Sequence, residues 1–466
     1  MNRKQKTSYK EDSLDKIELD TRNKQGVFSD SSASSEKKTK SKISTDTLLE
    51  SIMSKRNLFE AYKRVKKNKG SHGIDGMRVD ELLPYIEAHV NQLIESLLDG
   101  TYKPKPVRRV EIPKPDGGIR LLGVPTVLDR MIQQAIATKL NDIFEPVFSD
   151  NSFGFRPKRS CHMALKKSKE FINEGNKVVV DMDLEKFFDR VNHDILMNRI
   201  ARKVTDKRVL KLIRKYLVSG IMQNGIVVKS EEGTIQGGPL SPLLSNVLLD
   251  DLDKELERRG HKFVRYADDC NIYVKSKRAG ERVLKSVTSF LGKELKLKVN
   301  QEKSAVGNPT KRKFLGYSFY YGRKGIGYRV HEKSYERLKV KIRKITNRNV
   351  SMNFDYRMKK LNEVLVGWVN YYKLADMKKR LKNLDEWIRR RLRACIWKTW
   401  KKVKTRFKNL KKLGVNKYKA WEHANTRKGY WRISNSPILN CTITNEKLKR
   451  RGYKSLSSQY HKIRLS

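Results

Sequence analysis

The chain has 466 residues, with 104 Lys and Arg against 51 Asp and Glu, a formal net charge of +53 that calls for a polyanionic partner, a nucleic-acid backbone before a membrane surface. At 38% hydrophobic it can build real cores, which excludes a wholly disordered chain, and its length corresponds to about three domains. No apolar run nears the ~20 residues of a spanning helix, Met1–Lys10 is too polar for a signal peptide, and the cysteines Cys161, Cys270, Cys395 and Cys441 form no C-x-x-C pair, so the expectation is a soluble cytoplasmic protein with no membrane partner, zinc finger or disulfide framework.

Residues 1–45 are polar and rich in Ser and Lys, the composition of a disordered tail. From Thr47 to Lys66 the spacing of Leu48, Ile52, Leu58, Phe59, Tyr62 and Val65 predicts helix, and the turn Gly70–Gly76 follows it. Val107 to Ile112 and Ile119 to Val124 read as two strands joined by the hairpin turn Pro115-Asp116-Gly117-Gly118. Lys114 and Arg120 flank that turn, a cation pair suited to gripping a triphosphate, although a solvated hairpin face has the same pattern. Val127 to Leu140 reads as a mostly buried helix, and Ser152-Phe153-Gly154-Phe155-Arg156-Pro157 as an irregular loop.

The run Lys177 to Leu184 predicts a strand with Val178, Val180, Met182 and Leu184 on one face and Val179, Asp181 and Asp183 on the other. Of the pair Phe187-Phe188 that follows, at least one belongs in the core. Val227 to Lys229 reads as a short strand, Gly233 to Leu240 as a tight glycine loop, and Ser241 and Pro242 as N-cap and first residue of a helix carrying Leu244, Val247, Leu248, Leu252 and Leu256. That helix leads to Phe263–Val274, two short apolar strands with Asp268 and Asp269 at the bend. Adjacent carboxylates repel, and a hard divalent cation relieves them. A helix near 278–295 and strands at Leu297–Asn300 and Lys313–Phe319 follow.

Beyond residue 330 the chain turns to basic helices marked by Leu338, Ile342 and Ile345, then Leu361, Val364, Leu365, Trp368 and Tyr372, then Leu381, Leu384, Ile388, Leu392 and Ile396. Their charged faces are densest at Arg389, Arg390, Arg391 and Arg393, and three in succession predict a nucleic-acid surface. Trp387, Trp397 and Trp400 read as core rather than as base-stacking residues.

A strand ending in aspartates, a glycine loop leading into a helix, and a hairpin bearing two more aspartates together bring carboxylates to one sheet edge. Two-metal phosphoryl transfer needs that arrangement, with cations ~3.5–4 Å apart. In this order the chain resembles the group II intron-encoded reverse transcriptases, or maturases, most closely the bacterial group IIC type. The likeness rests on Tyr266-Ala267-Asp268-Asp269, Gln236 to Pro242, Asp183 with Phe188, Ile112-Pro113-Lys114 with Arg120, and Phe314-Leu315-Gly316.

The resemblance implies an α+β right-hand polymerase with an antiparallel palm sheet. Fingers and palm would span 46–325, with an N-terminal extension at 46–76. A basic helical thumb, the maturase or X domain, would span 326–412. A DNA-binding-like segment would span 413–466, with no endonuclease domain. It also implies RNA-directed DNA polymerisation with two Mg²⁺ ions on Asp183, Asp268 and Asp269. Asp183 is preferred over Asp181 because the family carries an aromatic five residues after its metal-binding aspartate, here Phe188. By the same resemblance Lys114 and Arg120 clamp the dNTP, Phe188 is the steric gate against a 2′-hydroxyl, and Gln236 steadies the dNTP, with Ile235 standing where the family has Pro. Gly73 and Gly76 would lie near the template. The implied partners are the intron RNA, an RNA template with a DNA primer, and target DNA. A non-catalytic splicing cofactor and a reverse transcriptase repurposed for defence or a retron-like system are the competing readings.

Overall fold

The structure is a computed structural model describing residues 45–465, apart from 115, 116, 224, 225, 229, 230 and 324. The expected N-terminal tail therefore lies outside the described residues but for Thr45, as do Lys229 and the hairpin tip Pro115-Asp116.

Three sheets organise the described chain. Strands β1 (Val107–Pro113), β2 (Ile119–Val124), β4 (Ile221–Gln223) and β5 (Ile226–Val228) form the first, in the order β2-β1-β4-β5. Its hairpin has the predicted strands, with Ile112 opposite Arg120, and β1 meets β4 in parallel. The central sheet has the order β6-β7-β3-β8, from β3 (Val178–Met182), β6 (Lys262–Tyr266), β7 (Asp269–Val274) and β8 (Ala305–Gly307). All its pairings are antiparallel, as expected of a palm. A third hairpin joins β9 (Tyr317–Gly322) and β10 (Gly325–Val330).

The central sheet separates two cores, and the period-2 alternation of β3 feeds both. Val180, Met182 and Leu184 join the first, built on helices Lys55–Asn68, Val127–Phe144, Ser241–Arg258 and Lys277–Glu294. Val179 joins the second with Val264 and Tyr273 of the neighbouring strands, Tyr317 and Tyr328 of the third hairpin, and the helices beyond residue 330. The first three of those helices are Glu332–Ile345, Phe354–Tyr371 and Lys378–Thr399, matching the three predicted amphipathic patterns.

Elsewhere local chemistry moved the predicted elements. The first helix is broken at Ser54 into Leu48–Met53 and Lys55–Asn68. Leu297–Asn300 makes an isolated bridge, Leu184 with Val299, and the fourth palm strand is Ala305–Gly307. Phe314-Leu315-Gly316 is a tight turn, with φ of 49° at Leu315 and 82° at Gly316, so the strand begins at Tyr317. Ser241 is the first helical residue rather than the N-cap, because its hydroxyl donates to the Ile235 carbonyl at 2.6 Å.

The second core runs unbroken through the expected boundary at 412/413: Leu410, Val415, Ala420, Ile433, Leu448 and Tyr460 are all buried in it. Asp385, 2% exposed on helix Lys378–Thr399, fastens the C-terminal helix Leu456–Leu465. Its carboxylate accepts from Tyr453 Oη at 2.6 Å, Ser455 Oγ at 2.7 Å, and the Leu456 and Ser457 amides at 2.9 Å. Removing it strands four donors. Asp385→Ala should cost about 2–4 kcal/mol and open the C-terminus to proteolysis before global unfolding. Wild-type protease resistance and melting would refute this staple.

Candidate active site

Strands β6 and β7 pair Tyr266 with Asp269, leaving Ala267 and Asp268 as a two-residue hairpin loop. Ala267 has φ +59° and Asp268 does not share the positive sign, the pattern of a type II′ turn, which normally takes glycine at that first position. The turn is held from beneath. A β-carbon on Gly154 would sit 2.2 Å from the Ala267 nitrogen, so only glycine allows the loop at 152–154 to approach so closely.

Arg265 carries the support, a role the sequence reading did not assign. It is 0% exposed, as is the side chain of its partner Asp253 on helix Ser241–Arg258. Its Nε donates to Asp253 Oδ1 at 2.7 Å and Nη2 to Asp253 Oδ2 at 2.5 Å. Nη1 donates to Asn246 Oδ1 at 3.0 Å and to the Ala267 carbonyl at 2.9 Å, and Nη2 also donates to Ser152 Oγ at 2.8 Å. The available signal was weak: Asp253 is one of five acids on helix Ser241–Arg258, set apart only by falling at the helical spacing of Leu249, Leu252 and Leu256.

The register of β3 on β7, Met182 opposite Cys270, brings Asp183 next to Asp269 at the end of the ladder. Asp183 is fixed by its backbone: its amide donates to Ser304 Oγ at 3.0 Å and its carbonyl accepts from the Asn300 amide at 2.8 Å. Lys303 Nζ lies 3.5 Å from the Asp183 carboxylate, and Arg312 Nε lies 3.9 Å from Asp181. Asp181 thus sits on the same strand face, as the alternation required, but paired to a cation away from the cleft.

Asp183 and Asp268 line a cleft of 1730 Å³ together with Lys114, Arg120, Phe188 and Gln236. Phe187 is 2% exposed in the core, and its ring meets that of Phe188 edge-on at 5.2 Å, which props Phe188 toward the cleft. The glycine loop is tied on both sides. The Thr234 amide donates to the Phe188 carbonyl at 2.6 Å, and the Gly123 amide to the Gln236 carbonyl at 2.9 Å. A β-carbon on Gly237 would meet the Gly123 carbonyl at 2.7 Å. Ile235 packs against Gly123, so side-chain contact holds the loop where a proline would otherwise stiffen it.

Burial raises the Asp268 pKa, with the charge of Asp183 adding to it. Burial pushes Asp269 well above the ordinary carboxylate range, followed by the charges of Asp181, Asp268 and Asp183. Asp181 is pushed up to about 6, by burial against the pull of Arg312. Among the described residues no three His, Cys, Asp or Glu side chains form a ready-made metal cage. The donor set is nonetheless all oxygen and mutually repelling. It fits Mg²⁺, which takes few carboxylates and completes its shell with water and phosphate.

The residues expected to touch nucleic acid fare differently. Gly73 is buried, with a β-carbon there 2.6 Å from the Thr126 Cα, so packing explains its glycine; Gly76 is exposed with φ +73°. Arg391 donates to Thr346 Oγ1 at 2.5 Å, and Arg393, 7% exposed, to the Ile443 carbonyl at 3.0 Å. Arg390 stacks 3.9 Å over Trp431. These three join helix Lys378–Thr399 to its neighbours, so the cluster expected to face nucleic acid also has a role in packing; Arg389 beside them is half-buried. Trp397 is core at 1% exposed, as read.

The carboxylate shifts fix a pH dependence. A raised folded-state pKa means the folded protein holds protons the unfolded chain has released, so stability falls as pH rises from about 4 through the folded pKa, about 6 for Asp181. Without divalent cation, Asp269→Asn should therefore melt roughly 2–4 °C above wild type at pH 7.5 and gain less from added Mg²⁺. Melting curves with and without Mg²⁺ test it, and a variant melting below wild type in both would contradict it.

Residues 112–319 match the family described as reverse transcriptase (RNA-dependent DNA polymerase), and residues 335–414 the group II intron maturase-specific domain. The group II intron-encoded protein LtrA of Lactococcus lactis is 33% identical over 333 residues, 57% of this chain and 55% of LtrA. Protein YkfC of Escherichia coli is 32% identical over 289 residues, 53% of this chain and 76% of YkfC. A putative COX1/OXI3 intron 2 protein of Saccharomyces cerevisiae is 29% identical over 323 residues, covering 56% of this chain and 37% of that protein. The chain thus spans just over half the length of LtrA. With both domains in order and YkfC matched over most of its length, this chain belongs to the group II intron reverse transcriptase and maturase family.

Proposed function

We propose that this chain is an RNA-directed DNA polymerase of a group II intron, which also binds the intron RNA to assist splicing and copies it at a DNA target in the cytoplasm. One observation carries the reading: Asp183 and Asp268 share a 1730 Å³ cleft with Lys114, Arg120, Phe188 and Gln236. A pure RNA-folding cofactor has no use for a carboxylate cluster that burial and mutual repulsion oppose.

In this reading the primer 3′-oxygen attacks the α-phosphate of a dNTP, forming one P–O bond as the bond to pyrophosphate breaks. Two Mg²⁺ ions held by Asp183, Asp268 and Asp269 would supply charge neutralisation at the attacking and leaving oxygens. Lys114 and Arg120 draw in the triphosphate, Arg by paired hydrogen bonds and Lys as a point charge. Phe188 closes the space under the sugar, and Gln236 braces the nucleotide from a loop fixed at both ends. Lys303, paired with Asp183, balances the charge until substrate arrives.

Purified protein given an RNA template, a DNA primer, dNTPs and Mg²⁺ should synthesise cDNA. Asp268→Ala/Asp269→Ala should lower the rate by roughly 10³-fold or more while leaving RNA binding intact. A folded, RNA-binding wild type that makes no cDNA would point to the splicing-cofactor reading. Phe188→Ala should relax discrimination against rNTPs by roughly tenfold or more, read as the ratio of kcat/KM values; an unchanged ratio removes the gate assignment.

A further inference from the structure

The turn between Asp183 and Phe188 carries a lysine in a conformation that lysine does not favour. Lys186 has φ +48°, in the left-handed region that glycine and asparagine enter at lower cost. It is one of seven non-glycine residues with positive φ among the described residues, and the only one of them that lines the 1730 Å³ cleft. Its side chain is exposed, so packing does not compensate for the backbone. Such a conformation persists where the surroundings over-determine it, and both flanks of Lys186 are fixed.

The Glu185 amide donates to the Lys298 carbonyl at 2.9 Å, and the Glu185 carboxylate accepts from Arg190 Nη2 at 3.0 Å. Phe187 is buried in the first core, and the Lys186 carbonyl accepts from the Asp189 amide at 2.9 Å. The turn therefore presents Lys186 to the cleft from the palm, whereas Lys114 and Arg120 line it from the β1–β2 hairpin. Two other cations near the turn are already committed, Lys303 to Asp183 at 3.5 Å and Arg190 to Glu185. Lys186 forms no ion pair among the described residues.

We infer that Lys186 binds the β- and γ-phosphates of the incoming nucleotide from the palm side and holds them as pyrophosphate once the bond to the α-phosphate has broken. An unpaired ammonium at the wall of a cleft calls for an anion. Lys186 lies three residues after Asp183, so the anion it meets is at the reacting end. A nucleic-acid strand spaces its charges one to each nucleotide. A triphosphate sets several on adjoining groups, within reach of one ammonium and its three rotatable donors. As the primer oxygen bonds to the α-phosphorus, the electron pair of the breaking bond passes to the leaving β-phosphate oxygen, and a cation placed there gains in attraction as the reaction proceeds. The inference deepens the polymerase reading and rests on it for the ligand, but its test does not require catalysis.

The experiment is equilibrium binding of a labelled dNTP to full-length protein in Mg²⁺. The protein carries an RNA–DNA primer–template whose primer ends in a dideoxynucleotide, so that nothing can be extended. Inorganic pyrophosphate serves as competitor, and melting curves are recorded alongside. Asn tolerates the left-handed region, so Lys186→Asn should melt at or above the wild-type temperature yet bind the dNTP about five- to twentyfold more weakly. Pyrophosphate should lose affinity by the same factor, because both ligands present the same phosphates, and the Kd for the primer–template should not change. Lys186→Arg, which keeps the charge, should bind the dNTP like wild type. Wild-type affinity for dNTP and pyrophosphate in Lys186→Asn would overturn the inference, as would an equal loss in Lys186→Arg or a loss confined to the primer–template. A wild type that binds the dNTP but never extends a primer with a free 3′-hydroxyl would defeat the polymerase reading while leaving this contact assigned by the same titration.

Discussion

The geometry of the site depends on the guanidinium of Arg265. A guanidinium has five N–H donors in a fixed plane, and here every one has an acceptor: both Asp253 oxygens, Asn246 Oδ1, Ser152 Oγ and the Ala267 carbonyl. One side chain thereby joins the helix after the glycine loop, the loop at 152, its own strand and the turn that presents Asp268. A lysine could satisfy neither the number nor the directions. A buried ion pair is weak evidence for stability, since desolvation offsets its attraction, but losing one partner typically costs about 3–5 kcal/mol. What the pair supplies is a fixed relation between elements far apart in sequence, at the point where small displacements of a carboxylate matter most.

The same logic explains the glycines around the cleft. Gly154 and Gly237 stand where backbone meets backbone, at 2.2 and 2.7 Å for a hypothetical β-carbon, so the site is assembled by close approach of loops rather than by interdigitating side chains. The nearest atoms at those contacts are the backbone of Tyr266 and Ala267 and the carbonyl of Gly123, and none of these can rotate away. Phosphate cradling, the first use one thinks of for glycine beside a polymerase cleft, is not needed to account for them. Gly73 belongs with them, since its neighbour is the Thr126 backbone.

How much of this the sequence disclosed follows from the range of each interaction. Strand alternation and hairpin signals are local, so β1, β2, β3 and the aspartate hairpin were legible, as were the three thumb helices. The choice of Asp183 over Asp181 needed a family pattern, because alternation puts both on one face; the structure then separates them by their cations, Lys303 for one and Arg312 for the other. The bond between the glycine loop and its helix was not legible. Ser241 looks like a helix cap until the Ile235 carbonyl claims its hydroxyl. Arg391 and Arg393, read from the sequence as part of a nucleic-acid surface, also bond inside the fold, to Thr346 Oγ1 and the Ile443 carbonyl. Charge density along a helix reveals a preference for anions or for carbonyls, and only the packed structure distinguishes the two.

That distinction bears on how a chain of such positive charge keeps an acidic centre. Asp183 and Asp268 line the cleft with Lys114 and Arg120, while Asp181 and Asp269 are buried and are not among its lining residues. Water could relieve the repulsion if the turn could open, but Arg265 and Gly154 hold it shut from below, and Ser304 and Asn300 fix Asp183 from the side. The strain therefore remains in the folded state, where only added positive charge relieves it. In the proposed reading divalent cations would bring that charge, and once bound they would favour a triphosphate, which the basic hairpin would also attract. Each component would make the next more favourable, so that in this reading the cleft would discriminate for the complete set of metal, nucleotide and strand over any one of them alone.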